Sequence, residues 1–290
     1  MSCLIRCLFL LLLLAVGAAG AEESRHLDTR LMLSTVKVAN PGSTAAAFVL
    51  RRNGETEASL DRFVLVTATH VLEKATGEEV TLELRKRQSG EGHERLPTRM
   101  KIREGDRPLW TSHPTADVAV ISIDLPPEAT VPGVSVESLA TEEQLRHYEV
   151  RPGDAIRSIG FPHANQFQSE PAGFPMVRAG CIASYPLRPT DENITFYADL
   201  NTFEGDSGGP VYLAQVGRFY QGKFHGEPVE LILGVMSGQQ FINERFDQVY
   251  QSGEFRRQLG LGIIVHAVAI RQTLALLDES SEPTAADTVD

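Results

Sequence analysis

Cysteine is scarce in this chain of 290 residues, and the scarcity sets the first limits. Only Cys3, Cys7 and Cys181 occur. The first two precede an uncharged apolar run at residues 8–21, so neither sits where a lipid-attachment cysteine would follow such a run. The run is too short to cross a bilayer, which takes about 20 residues. It follows a positive start at Arg6 and ends in Ala19, Gly20 and Ala21, a small-residue cleavage pattern. Residues 1–21 therefore read as a secretory signal. The remaining chain keeps one cysteine, can form no internal disulfide, and must rely on its own core. Cys-x-x-Cys spacing and i, i+4 histidine pairs are also missing, which argues against a structural metal. Basic residues are outnumbered, 27 against 38 acidic, for a net charge of −11. Such a surface repels phosphate and anionic lipid, so neither nucleic acid nor a membrane surface is expected as a partner.

What the chain does have is short β-type runs. "TAAAFVL" (44–50), "RFVLVTA" (62–68), "EVTLELRKR" (79–87) and "DVAVISIDL" (117–125) are separated by glycine and proline turns. The second and fourth are apolar almost throughout, as strands covered on both faces would be. A short helix is expected within residues 137–152, where Thr141 and Gln144 form a capping-box pattern. Strand patterns resume after Gly153 and continue to about Val268, and a closing helix is expected to end near Leu277. Residues 278–290 are acidic and poor in bulky apolar groups, so disorder is expected there. Cys181, alternating along "VRAGCIASY", reads as a small buried hydrophobe. Many short strands without long intervening helices point to an all-β barrel or sandwich.

One stretch stands apart. "EGDSGGPVY" (204–212) sets Gly205, Gly208 and Gly209 around Asp206 and Ser207. Chance would produce "GDSGGP" on the order of once in 10⁵ chains of this length at average composition, so it is read as a site. A serine hydroxyl needs a base to take its proton, a group to orient that base, and donors for the developing oxyanion. Gly205 without a Cβ lets the N–H groups of Gly205 and Ser207 share one cavity, and the two later glycines allow close packing behind the serine. Upstream, "TATH" ends in His70 and "DVAVISI" opens with Asp117.

In "TATH" (67–70), "DVAVISI" (117–123) and "GDSGGPV" (205–211) the chain resembles the trypsin/chymotrypsin-like serine peptidases, in particular their disulfide-poor secreted bacterial members. The resemblance spans roughly residues 31–275. It implies two six-stranded antiparallel β-barrels, at 31–136 and 153–277, with the site between them. It implies His70 as general base, Asp117 as its orienter and Ser207 as nucleophile of an acyl-enzyme, with oxyanion donors at Gly205 and Ser207. No cofactor is implied, and the substrate is a protein or peptide in a secreted or periplasmic setting. The implied substrate pocket takes Asn201, six residues before the serine, with Ser237, Gly238 and Gln239 from "GVMSGQ", and Ser237 would also bond towards Asp117. A neutral Asn201 lacks the negative charge that would hold Arg or Lys.

Two features depart from the family. No cysteine follows His70. No Ile-Val-Gly-Gly start is present to place an amine beside Asp206, so Arg157, Arg178 or backbone donors are the expected substitutes. Two rival readings stay open. "GDSGG" also fits the nucleophile elbow of an α/β-hydrolase esterase, with Asp247 and His266 completing the chain order Ser, Asp, His. A protease fold that binds without catalysis is the other.

Overall fold

The computed structural model describes residues 26–52, 63–90, 92–162, 172–248 and 251–281. The expected signal at 1–21, the end of the acidic tail, and most of the proline-bounded loop after Pro162 lie outside them.

Sixteen strands dominate the described residues. The N-terminal half begins with helix α1 (Leu27–Ser34) and carries β1 (Thr35–Asn40), β2 (Ser43–Arg51), β3 (Phe63–Thr67), the short helix α2 (Thr69–Glu73), β4 (Glu79–Arg87) and β5 (His93–Lys101). A small hairpin, β6 (Arg103–Glu104) with β7 (Arg107–Pro108), follows, then β8 (Thr111–Ser112), β9 (Ala119–Ser122) and β10 (Val134–Ser135). A 3₁₀ turn at Val136–Ser138 and α3 (Glu142–His147) lead to the second half. That half holds β11 (Ala155–Gly160), β12 (Met176–Ile182), β13 (Thr195–Asp199), β14 (Pro210–Tyr220), β15 (Lys223–Gln248) and β16 (Gln251–His266), and ends in α4 (Ala267–Ser281).

The second half is a closed six-stranded barrel, in the order β11-β12-β13-β16-β15-β14. The first half differs in detail from the expected six-stranded barrel. Among the described residues its strands pair as one eight-stranded sheet, β5-β4-β1-β2-β3-β9-β8, with β10 beside β2, and the hydrogen bonds do not close into a ring. Between the edge strands β5 and β8 the chain instead forms the separate β6–β7 hairpin. The strands β2, β3 and β9 explain their apolar sequences by facing two cores. Ala47, Val49, Leu65, Ala119 and Ile121 point into the core of the N-terminal sheet. Phe48, Leu50, Val64, Val66 and Val120, on the opposite face, join a single cluster with Val211, Leu213, Met236 and Ile264 of the barrel. The two halves are thus welded by apolar surface.

The capping box at α3 is present: Thr141 Oγ1 accepts from Gln144 N and Gln144 Oε1 accepts from Thr141 N. The helix α1 is a departure from the all-strand reading of this region. Leu27 and Leu31, one turn apart, are fully buried and pull it onto the barrel cluster. Its last turn is held by Arg85, whose guanidinium donates to the carbonyls of Met32, Leu33 and Thr35. Burial pushes the Arg85 pKa down to about 10 despite the nearby Glu83, and the carbonyls supply what water would have given. The closing helix runs to Ser281, past the expected end, burying Ile270, Thr273, Leu274 and Leu277 at helical spacing against β8, β9 and β15. Cys181, expected to be buried, is half-buried on β12.

This architecture overturns the esterase alternative. The chain after Ser207 enters strand β14 rather than a helix, and apart from the two-residue β10 beside β2 the strands pair with antiparallel neighbours. His266 is 3 % exposed at the end of β16, packed on Phe196 at 4.7 Å, and neither ring nitrogen has a partner among the described residues. Burial holds its pKa down at about 4 against 6.5 for a free histidine, with Glu142 pulling the other way. Between those values the unfolded chain binds a proton that the folded chain refuses. Stability is therefore complete above pH 6.5 and falls as pH drops towards 4, by on the order of 3 kcal/mol. Urea titrations across that range should show the loss in the wild type, and His266→Leu should remove this component. An unchanged pH slope in the variant would contradict it.

Candidate active site

The glycine loop hangs from both halves of the molecule. Ala46 N, on β2, donates to Ser207 O at 2.8 Å, and Gly208 N donates to Met236 O at 2.7 Å on β15. Gly208 has φ +87°, and a Cβ there would lie 2.0 Å from Ala46 O and 2.2 Å from Thr67 Oγ1. No other residue fits. Thr67 Oγ1 itself donates to Ala46 O at 2.8 Å. Thr67 ends β3, and three residues later comes His70 on α2. The serine loop and the histidine helix are therefore fixed to one point of the N-terminal sheet.

His70 meets Asp117. Nδ1 of His70 lies 2.7 Å from Asp117 Oδ2, and the His70 N–H donates to Oδ1 at 3.0 Å. Ser237 Oγ donates to the same Oδ2 at 2.5 Å. Burial alone would raise the Asp117 carboxyl. The bonds from the His70 ring, Ser237 and the His70 N–H outweigh it and hold the pKa below the ordinary value. An ionised carboxylate only accepts, so Nδ1 carries a proton, and in the neutral ring Nε2 is the nitrogen with the lone pair. Ser207 is half-buried and makes no hydrogen bond to His70 among the described residues.

Both members of this pair are propped from behind. Arg103 donates to the carbonyls of Leu72, Glu73, Ala75 and Gly77, closing the end of α2, and lies over Trp110 at 4.9 Å. His113 Nδ1 accepts from Thr115 N and Ala116 N, so its Nε2 donates to Gln272 on α4 at 3.0 Å. That shapes the turn presenting Asp117. No group of side chains able to hold a metal occurs among the described residues.

The backbone around the serine divides its donors. The N–H groups of Asp206, Gly208 and Gly209 bond to Phe203 O, Met236 O and Asp206 O. Those of Gly205 and Ser207 have no acceptor among the described residues. Gly205 has φ +99°, and a Cβ on it would lie 2.0 Å from Phe161 O.

Asp206, 2 % exposed, has found its partner. Arg178 on β12 pairs with its Oδ2, and the Phe203 N–H donates to that oxygen at 2.7 Å. A Cβ on Gly160 would strike the carboxylate at 2.5 Å, so "IGF" also makes room for it. Arg157, the other expected candidate, instead pairs with Asp28 and donates to Ala214 O.

A scan against family models matches residues 28–220 to the trypsin-like peptidase domain. The chain belongs to the trypsin-like peptidase family. Solved structures similar to this peptidase domain include a serine-to-alanine mutant of Rv3671c from M. tuberculosis H37Rv in its inactive form. It is 16 % identical, with TM-score 0.44, over 88 % of this chain and 91 % of that one. A scabies mite inactivated protease paralogue, S-D1, is 13 % identical, with TM-score 0.45, over 86 % and 94 %. A comparison with curated protein sequences finds no match.

The expected pocket residues of this domain lie beyond the matched segment, apart from Asn201. Asn201 is exposed beside Gly260, while Gly238 and Gln239 pair with Ile263 and Gly262 of β16. The structure adds two residues that the motifs did not reveal. Thr202 Oγ1 donates to Gln239 Oε1 at 2.9 Å, and Gln258 Nε2 donates both to that oxygen and to Thr202 O. Gln258 belongs to the strand facing Gln239 across a hairpin, a pairing that no local pattern announces. Breaking a buried ion pair costs about 3–5 kcal/mol. Arg178→Ala should therefore destabilise the protein by roughly that much in thermal or urea unfolding, whereas Arg157→Ala should cost about 1 kcal/mol or less. Equal effects would remove the distinction between them.

Proposed function

We propose that the protein is a secreted or periplasmic serine endopeptidase acting through His70, Asp117 and Ser207. The hydrogen-bonded set of His70, Asp117 and Ser237 carries this reading, because it leaves His70 Nε2 as a base with its tautomer fixed. In the reaction the Ser207 hydroxyl attacks the peptide carbonyl as Nε2 takes its proton. Asp117, ionised at neutral pH, stabilises the imidazolium. The N–H groups of Gly205 and Ser207, unpaired among the described residues, receive the oxyanion. His70 then protonates the leaving amine, and water activated by the same base releases the acyl group. The hydrogen bond from Ser207 to Nε2 forms when substrate excludes water. No described helix is long and apolar enough to cross a membrane.

Thr202, Gln239 and Gln258 make the pocket neutral and partly filled, so a small or polar side chain suits it better than Arg or Lys. Three tests follow. A fluorophosphonate should label the wild type and not Ser207→Ala, and peptide hydrolysis should fall by on the order of 10⁴–10⁶-fold in Ser207→Ala and His70→Ala. An unlabelled wild type would favour a binding protein of the same fold. A histidine base predicts activity that rises with pH, and a flat profile from about pH 5 to 8 would exclude one. In a peptide library Gln258→Ala should shift preference towards larger side chains, and an unchanged profile would place the pocket elsewhere.

A further inference from the structure

A second cavity lies away from the serine, at the outer ends of the two strands that hold Asp206. β11 and β12 pair from Gly160↔Met176, where Gly160 touches Asp206, to Ala155↔Cys181. That is about 17 Å of strand. Beyond the Ala155 end, the chain before β11 and the chain after β12 become two walls around about 280 Å³. Val150, Arg151 and Pro152 belong to one wall, and Tyr185, Leu187 and Arg188 to the other.

Both walls are fixed. Arg218 donates to the carbonyls of Tyr148 and Glu149 and to Asp154 Oδ2, which also accepts from Arg151 N. Gly153 N donates to Ile182 O and ties one wall to the end of β12. Thr190 donates through its N–H and its hydroxyl to Glu142 Oε2 on α3, which anchors the other. The cavity is therefore preformed, as small-ligand sites usually are.

Its lining is of two kinds. Val150 and Leu187, each 5 % exposed, are apolar, as are the flanking Pro152 and Pro186. Arg151 and Arg188 line the same space, and neither guanidinium makes an ion pair or hydrogen bond among the described residues. The nearby carboxylates are engaged elsewhere: Glu142 with Thr190 and Arg146, Asp154 with Arg218, and Glu149 with Gln221 N. In a chain of net charge −11, two unpaired arginines on one cavity call for an anion. With Glu149 also in the lining, one net positive charge remains, which suits a single carboxylate better than a phosphate of nearly two charges. The planar fork of a guanidinium fits a carboxylate in the same way.

We propose that this cavity binds the C-terminal residue of a peptide, with its α-carboxylate on Arg151 and Arg188 and an apolar side chain against Val150 and Leu187. A terminal residue supplies both groups in one unit. Tyr185, 83 % exposed at the rim, offers its ring to the preceding residues as they leave for solvent. Hydrolysis of a peptide bond creates such an end, so the identity of the ligand as a cleavage product rests on the serine-peptidase reading. The cavity itself does not.

The test uses the full-length Ser207→Ala protein and fluorescein-labelled Gly-Ser-Gly-Ser-Val-Leu with a free C-terminus, read by fluorescence anisotropy. This peptide should bind. Amidating its C-terminus should weaken binding by about 10-fold or more, and so should Arg151→Gln and Arg188→Gln, each with unchanged thermal unfolding. Equal binding of the amide would overturn the proposal. Unchanged binding in either arginine variant would also overturn it, because the peptide would then be held elsewhere, as at the serine. Octanoate that displaces the peptide at equal concentration would overturn the choice of a peptide end. None of these readouts needs turnover, so a failed fluorophosphonate reaction removes the peptidase reading and leaves the binding result standing.

Discussion

The shape of the serine loop depends on one buried carboxylate. Asp206 lies almost wholly out of water, directly before Ser207, and an unpaired charge there would cost several kcal/mol. Arg178 answers it from β12, and the Phe203 N–H answers it from within the loop. With those two partners the carboxylate becomes a fixed post around which residues 203–209 turn. That turn directs the N–H groups of Asp206, Gly208 and Gly209 to acceptors and leaves those of Gly205 and Ser207 open. The cation is part of a strand in the barrel, so the loop is held by the fold itself.

The same residue type recurs wherever a segment must be pinned. Arg85 holds the end of α1, Arg103 the end of α2, Arg218 the carbonyls of Tyr148 and Glu149, and Arg271 those of Val136 and Leu139. A guanidinium presents several donors in a rigid fork, and each bond from a charged donor contributes about 1.5–3 kcal/mol. In a chain whose cysteine at 181 stands free, these forks do the cross-linking that disulfides do elsewhere. Two of them act on the site: Arg103 steadies the helix bearing His70, and Arg271 ties α4, whose Gln272 braces the turn before Asp117, to the segment between the halves.

Much of the fold was legible because strand alternation and turn residues are local signals. The apolar stretches at 62–68 and 117–125 pointed to strands covered on both faces, and Leu65 and Val66 do face opposite cores. The capping box was legible for the same reason, since it lies within three residues. The helix α1 was not: only Leu27 and Leu31 mark it, and it is stabilised by a barrel and an arginine far along the chain. The open pairing of the N-terminal sheet was hidden too, because no local pattern says whether two edge strands meet.

The sequence by itself determined the chemistry of single residues: which loop tolerates φ near +90°, which side chains can accept or donate a proton, and that Asp206 needed a partner. It narrowed that partner to Arg157, Arg178 or backbone donors without choosing among them. Only tertiary structure chose Arg178, because partnership across strands depends on barrel register, and Arg157 was drawn to Asp28 on α1. The same holds for Gln258 beside Gln239 and for His113 behind Asp117. Each is set by where distant backbone comes to rest, and that is decided by the burial of the whole core and not by any short stretch of chain.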